Sequence, residues 1–438
     1  MSQYFGTDGI RGKAGEYITY EFVKELAYSV VKYINKHSLN KKILIGYDTR
    51  ESSEIIVYTM SSVFLYYGIN VVNCGICSTP CIAFLSDKYS LSFMITASHN
   101  EYSDNGIKIF NSNKEKISID VMKEIEFDMF LKHEDFYSDN FGRLHFKPTL
   151  VFDYLDNISN KVKPFKFKGK VLIDCANGGV FNIVSVLKNY CRNLIVLNNE
   201  PNGKNINDNC GVIHIGKFKE YSKYDITAFL DGDGDRLGLI DNNGRILDGD
   251  DICYLLTEHI DNYKEINKVV ITEASNIKLY EHLQLKDIQP LLSEPGDRKI
   301  AQLMDDNDCL LGIESSGHIL IKDYLKCSDG IYVLLLILKM LNDTNKSLSE
   351  LISPFHKANK LIKEIKLKNR EVVNNNTITI LKNNIDTMFD EPISFYVRKS
   401  GTENIVRVIV QSNSEQSNLV AAQFIEEYLI KLSEGDNI

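Results

Sequence analysis

Apolar residues along this chain recur with two periods, and the alternation between them predicts the architecture. Val23, Leu26, Ala27, Val30, Val31 and Ile34 follow helical spacing and predict an amphipathic helix over about residues 20–36. The run Ile43-Leu44-Ile45-Gly46 then reads as a buried strand, residues 55–67 as a second helix and Asn70-Val71-Val72 as extended chain. The same order restarts at Lys170-Val171-Leu172-Ile173-Asp174, where a Gly178-Gly179 turn leads into a helix, and again at Lys268-Val269-Val270-Ile271-Thr272. Three rounds of strand, helix and strand predict three α/β units with mostly parallel sheets. The last stretch differs. Residues 363–368, Ser394-Phe395-Tyr396-Val397 and residues 405–410 are strand-like, with helices near 376–383 and 415–432, which predicts a smaller α+β domain. The expected divisions are 1–150, 151–250, 251–362 and 363–438.

Length agrees with this division, because 438 residues exceed what one hydrophobic core organises. A hydrophobic content of 44% and a charged content of 25% are those of a soluble globular protein. The net charge of −9 argues against general nucleic-acid binding, which needs a basic footprint. The apolar run 331–338 is too short to span a bilayer and ends at Lys339. Residues 1–20 lack the charged-then-apolar pattern of a secretory signal, so a cytoplasmic protein is expected, with no membrane partner. The nine cysteines are odd in number and scattered, which speaks against a disulfide framework. Cys74, Cys77 and Cys81 are followed by no second ligand pair, so they read as structural thiols rather than a zinc site.

Four segments carry chemistry. Ile95-Thr96-Ala97-Ser98-His99-Asn100 follows the apolar residues 91–95, so the Ser98 hydroxyl is expected at a strand's carboxyl end, where open α/β sheets bind ligands. Beside His99 and Lys108, Ser98 reads as a covalent carrier; alone, it would read as a helix cap. Asp231-Gly232-Asp233-Gly234-Asp235-Arg236 sets carboxylates at every second position of an extended loop, so they project to one side. Three hard oxygen donors suit Mg²⁺, with a phosphate oxygen completing the shell. An EF-hand would need glycine and glutamate where Arg236 and Asn242 stand. Arg398-Lys399-Ser400-Gly401-Thr402-Glu403 offers a guanidinium, hydroxyls and backbone N–H groups to a phosphate, or is a polar hairpin turn. In Gly312-Ile313-Glu314-Ser315-Ser316-Gly317-His318, Glu314 and Ser316 are suited to sugar hydroxyls and His318 to proton relay.

Together with Tyr4-Phe5-Gly6-Thr7-Asp8-Gly9-Ile10-Arg11-Gly12, these segments resemble the α-D-phosphohexomutases over nearly the whole chain. The resemblance implies three similar α/β domains and a C-terminal domain around one cleft, each giving it one loop. It implies that Ser98 is phosphorylated and that Asp231, Asp233 and Asp235 hold Mg²⁺ with the Ser98 phosphate. Arg11, His99, Lys108 and Arg236 match residues around the phosphoserine, with Lys108 and His318 as proton-transfer candidates. Glu314 and Ser316 match the sugar loop, while Arg398, Ser400, Gly401 and Thr402 match the site of the non-reacting phosphate. The expected partner is a hexosamine phosphate, and the sequence specifies no oligomeric state.

Departures from the family pattern are Glu101, Lys399 and Asn404 where proline is usual, and Ser315 where glutamine or methionine is usual. A Ser315 facing the cleft would leave room there and weaken discrimination between sugars. The opening motif and Gly296-Asp297-Arg298 resemble the glucosamine branch. The implied reaction therefore interconverts glucosamine 6-phosphate and glucosamine 1-phosphate through a bisphosphate. The alternatives are a phosphomannomutase or phosphoglucomutase of the same mechanism, and a catalytically silent sugar-phosphate binder.

Overall fold

Thr19 accepts the Phe22 N–H and starts helix Tyr20–Lys36, which buries all six residues of the helical apolar pattern named above. With helix Ser53–Tyr66 it covers one face of the first of four sheets. The computed structural model describes residues 4–6, 8–129, 140–260, 266–399 and 404–435. The first sheet has the order Ile10–Lys13, Asp104–Asn111, Leu91–Ile95, Lys42–Tyr47, Asn70–Ile76 and Leu144–Phe146. The second runs Ile246–Leu247, Leu237–Asp241, Ile226–Leu230, Phe167–Asp174 and Cys191–Leu197, and the third Gln289–Ser293, Lys268–Thr272, Leu311–Ile313 and Ile319–Ile321. The fourth joins Asn359–Lys366, Ile405–Ser412 and Ser394–Lys399 entirely antiparallel under helix Glu415–Glu434. The architecture is the expected α/β class, with mixed sheets built on parallel centres, plus a C-terminal α+β unit.

One regularity positions the site. Each of the first three sheets ends a parallel strand in a chain reversal and returns antiparallel. Ile95 lies opposite Ile107, Leu230 opposite Leu237, and Ile313 opposite Ile319. Residues 96–103, 231–236 and 314–318 are those reversals. The chemical segments therefore sit on hairpin connections pinned at both ends, rather than on strand-to-helix turns.

Two local expectations resolve differently. Gly178-Gly179 leads not into an α-helix but through turns into the 3₁₀ segment Val184–Asn189. A Cβ on Gly178 would stand 2.2 Å from the Gly232 carbonyl oxygen, so this glycine serves a close approach to the aspartate loop. The apolar run 331–338 lies inside helix Gly330–Thr344, which packs against strands Phe167–Asp174 and Leu237–Asp241 of the second sheet. Among the described residues no helix is long and apolar enough to cross a membrane. All nine cysteines are buried and free.

Candidate active site

Ser98 is fully buried, with φ 55°, in the left-handed region that non-glycine residues seldom occupy. Its neighbours hold it there. Thr96 Oγ1 accepts the Ser98 N–H at 2.8 Å. The buried Arg50 gathers the loop's carbonyls, with Nη2 donating to those of Ser98 (3.0 Å) and Asn100 (2.8 Å) and Nη1 to that of Asp104 (3.0 Å). Asp48 fixes Arg50 Nε at 2.9 Å. From the second unit, Asn207 Nδ2 donates to the same Ser98 and Asn100 carbonyls at 2.8 and 3.0 Å. The backbone carbonyls are thus turned toward fixed donors, and the Ser98 hydroxyl donates to Asp231 Oδ2 at 2.6 Å.

The aspartate loop approaches this serine closely, since a Cβ on Gly232 would stand 2.6 Å from the Ser98 carbonyl oxygen. Asp231, Asp233 and Asp235 are fully buried and each brings a carboxylate oxygen within 4.8 Å of the others. Burial pushes Asp231 well above the ordinary aspartate value, and repulsion from Asp235 and Asp233 adds to it. Asp233 Oδ1 and Asp235 Oδ1 are buried without a hydrogen-bond partner. Orphaned carboxylate oxygens converging with a serine hydroxyl are a donor set for a hard cation, and the residues fit one.

Cations from the first sheet compensate part of this charge. Lys108 Nζ stands 2.7 Å from both Asp233 Oδ2 and Asp235 Oδ2, and 3.2 Å from Asp8 Oδ2. Burial alone would lower the Lys108 ammonium, but those three carboxylates more than offset it and hold it well above the usual lysine value. Asp8 also binds Arg11 and Lys116, and Lys116 reaches Asp297 Oδ2 at 2.5 Å. Arg236 Nε donates to His318 Nε2 at 3.0 Å, while the Leu237 N–H donates to the Gly317 carbonyl at 3.1 Å. These bonds stitch the Glu314–His318 turn to the end of the aspartate loop. His318 Nδ1 lies 3.6 Å from Asp235 Oδ1. Ser98 Oγ and His99 Nδ1 are 3.5 Å apart, and burial followed by the nearby Arg236 and Arg11 lowers His99 to about 3.

The structure thus brings together Ser98, His99, Arg11, Lys108, Asp231, Asp233, Asp235, Arg236 and His318. Glu314 and Ser316 are half-buried on the adjoining turn, and Ser316 Oγ has no partner. Arg398 is exposed near the end of strand Ser394–Lys399, away from these contacts. Ser400, Gly401 and Thr402 lie outside the described residues. Ser315 corrects an expectation: its hydroxyl donates to Asp250 at 2.9 Å instead of facing the cleft. A buried carboxylate competes for that proton better than water does, so the Ser315 hydroxyl is turned toward helix Gly249–His259 and is spent there.

Sequence reasoning did not single out Arg50, Thr79, Lys116, Asn207 or the roles of Asp8 and Asp297. Asp8 lies inside the opening Tyr4–Gly12 motif and Asp297 inside Gly296-Asp297-Arg298, so a local pattern does mark both carboxyls. Thr79 binds Asp233 through its hydroxyl and, by its N–H at 2.9 Å, through the Asp233 carbonyl. Arg50, Lys116 and Asn207 sit in segments with no local pattern.

A pH titration checks the electrostatics. With His99 held near 3, the unfolded chain binds a proton below about pH 6.5 that the folded chain refuses. His99 therefore withdraws stability as pH falls from about 6.5 toward 3 and costs nothing above that window. Its imidazole signals in a histidine-edited NMR titration are expected to stay at neutral-ring positions from pH 8 down to about 5.

Comparison with known proteins completes the assignment. The family model for phosphoglucomutase/phosphomannomutase alpha/beta/alpha domain I matches residues 2–135, and that for domain III matches residues 248–358. The chain is 33% identical to a phosphoglucosamine mutase of Campylobacter fetus over 98% of both proteins. It is also 33% identical to one of Fusobacterium nucleatum, covering 95% of this chain and 96% of that protein. Among solved structures, a phosphoglucomutase/phosphomannomutase family protein from Burkholderia thailandensis superposes with a TM-score of 0.82 at 19% identity, covering 100% of this chain and 99% of that one. An N-acetylphosphoglucosamine mutase from Aspergillus fumigatus, solved with GlcNAc-6P and magnesium, has the same fold at a TM-score of 0.71 and 14% identity, covering 99% and 96% of the two chains. With full-length relatives at this identity and the serine and aspartate loops facing one another, the chain belongs to the phosphoglucosamine mutase family of the α-D-phosphohexomutases.

Proposed function

We propose that the chain interconverts glucosamine 6-phosphate and glucosamine 1-phosphate, with Ser98 as the phosphoryl carrier. The observation that supports this best is the 2.6 Å bond from the Ser98 hydroxyl to Asp231, in a loop whose neighbouring carboxylates have oxygens left over. Asp231, Asp233 and Asp235, with an oxygen of the Ser98 phosphate, would hold Mg²⁺. That ion supplies charge neutralisation on the transferring group, since phosphoryl transfer is catalysed chiefly by positioning and electrostatics.

The chain's own residues do the rest. A sugar hydroxyl oxygen attacks the phosphorus on Ser98, the Oγ–P bond breaks and Oγ takes up a proton. Lys108, kept charged by its carboxylates, suits the stabilisation of the departing oxygen, and it is the candidate for giving that oxygen its proton although the same carboxylates make it a weaker acid. His318 presents Nε2 as an acceptor, now satisfied by Arg236, and suits the removal of the attacking hydroxyl's proton. Arg11 and Arg236 flank the serine and suit its phosphate; Glu314 and Ser316 suit the ring hydroxyls. Arg398 with Ser400, Gly401 and Thr402 would take the phosphate that is not reacting. The bisphosphate then turns end for end, and its other phosphate returns to Ser98.

Turnover of mannose or glucose phosphates by the same mechanism is the second reading. It is favoured by the loss of Ser315 as a sugar contact, which removes one position for choosing between substrates.

Ser98→Ala is expected to abolish turnover while leaving the thermal unfolding midpoint near that of the wild type. Intact-mass measurement should find a phosphate adduct on wild-type molecules and none on the variant. Near-normal mutase activity in Ser98→Ala would falsify the covalent mechanism. Chelation of divalent ions should stop the reaction and Mg²⁺ should restore it, while Asp233→Asn weakens metal binding and turnover together. Full activity under excess chelator would reduce the aspartate loop to a structural one. On parallel substrates, glucosamine 6-phosphate should give the highest kcat/KM. Faster turnover of mannose 6-phosphate would move the chain to the neighbouring specificity and keep the mechanism.

A further inference from the structure

The backbone of the aspartate loop is fixed by the protein itself, because its carbonyls at four consecutive positions meet donors from elsewhere in the chain. Gly232 accepts the Gly179 N–H at 2.7 Å, Asp233 the Thr79 N–H at 2.9 Å and Gly234 the Gly330 N–H at 3.1 Å. Asp235 accepts the Ser328 hydroxyl. What stays adjustable is the turn of each carboxylate about its Cβ–Cγ bond, a broad torsion with little preference of its own. That turn decides whether a carboxylate meets a cation with one oxygen or with both.

At Asp233 the neighbours make that choice. Its Oδ2 accepts from two donors at once, the Thr79 hydroxyl and Lys108 Nζ at 2.7 Å, whereas its Oδ1 is buried without a partner. Asp235 is divided in the same way, with Oδ2 on Lys108 at 2.7 Å and Oδ1 unpartnered. Lys108 alone is a weak guide, because one ammonium on a flexible stem is shared among three carboxylates. Thr79 is the stricter partner. It is fully buried, its β-branched side chain is stiff at χ1, and its own N–H ties it to the Asp233 carbonyl. Helix Thr79–Leu85 does not need its hydroxyl, since Ser78 caps that helix by accepting the Cys81 N–H at 3.4 Å. The hydroxyl instead crosses from the first unit to the second, to a carboxylate 154 residues further on.

We infer that Thr79 is a positioning residue, which keeps Asp233 a one-oxygen ligand and thereby favours Mg²⁺ over Ca²⁺ at the aspartate loop. This rests on the metal reading of that loop. Mg²⁺ takes about six oxygens in a tight octahedron and suits single carboxylate oxygens, whereas Ca²⁺ takes up to about eight and gains from carboxylates that bind with both. To offer Oδ2 as well, Asp233 must give up a charge-assisted bond to Lys108 and leave the Thr79 hydroxyl unpartnered away from water. That penalty falls on the larger ion and spares the smaller one.

Mn²⁺ followed by electron paramagnetic resonance tests it, displaced from the full chain by Mg²⁺ in one titration and by Ca²⁺ in another. Thr79→Val keeps the shape and the backbone N–H but removes the hydroxyl, while Thr79→Ser keeps the hydroxyl. In Thr79→Val the preference for Mg²⁺ over Ca²⁺ should narrow about fivefold, chiefly through tighter Ca²⁺ binding, with Thr79→Ser within about twofold of the wild type. An unchanged preference, an equal weakening of both ions, or a Thr79→Ser that behaves like Thr79→Val would each overturn the inference. Thr79→Ala repeats the measurement with a smaller side chain. If neither it nor Thr79→Val folds, Thr79 is a tie between units and not a selector of ions. A wild type that binds no Mn²⁺ would refute the metal reading of the loop, whereas one that binds it with a preference all variants share would refute only the role of Thr79.

Discussion

Five carboxylates, the buried Asp231, Asp233, Asp235 and Asp297 and the half-buried Asp8, are gathered in the region where three loops meet. Left alone they would repel one another and take up protons, as Asp231 tends to do. Lys108, Lys116 and Arg11 prevent this only in part. The pairing also ties units together. Lys108 belongs to the first sheet and its two aspartates to the loop of the second, while Lys116 joins the first unit to Asp297 of the third. Removing one partner would leave a buried charge uncompensated, which costs about 3–5 kcal/mol. The electrostatics of the site and the packing of the units are one problem.

The hairpin placement of each loop follows from the same demand. A loop carrying three buried charges cannot also fray, because each change of shape would alter what those charges meet. Anchoring both ends in one antiparallel pair restricts such a loop, and fixed donors restrain the serine loop further, with Arg50 and Asn207 both binding the Ser98 and Asn100 carbonyls. Parallel strands supply the rigid floor beneath, and their apolar residues form a continuous core across the second and third sheets.

Much of this was legible in the sequence because it is local. Leu91–Ile95 before Ser98 and Ile226–Leu230 before Asp231 are short apolar runs ending in polar residues with recognisable chemistry. Helix Tyr20–Lys36 followed directly from its periodicity. What stayed hidden depends on meetings across the chain. Arg50 reaches a loop 48 residues further on, and Asn207 reaches it from 109 residues away. Gly178 resembled a helix-starting turn because its true neighbour, Gly232, is remote in sequence. Ser315 was judged by its length, whereas its direction was set by Asp250, which no local pattern connects to it.

The left-handed backbone at Ser98 narrows which residue can serve as the proposed carrier. Threonine has the same hydroxyl and forms phosphate esters as readily, so chemistry alone would allow either residue. At a φ of 55°, however, a second substituent on Cβ is pressed against the backbone, and β-branched residues are rarely found there. The loop thus admits serine and refuses its closest chemical substitute. An evolving lineage that drifted to threonine would lose the backbone shape before it lost the nucleophile, and the route from one hydroxyl to the other is closed by conformation rather than by reactivity.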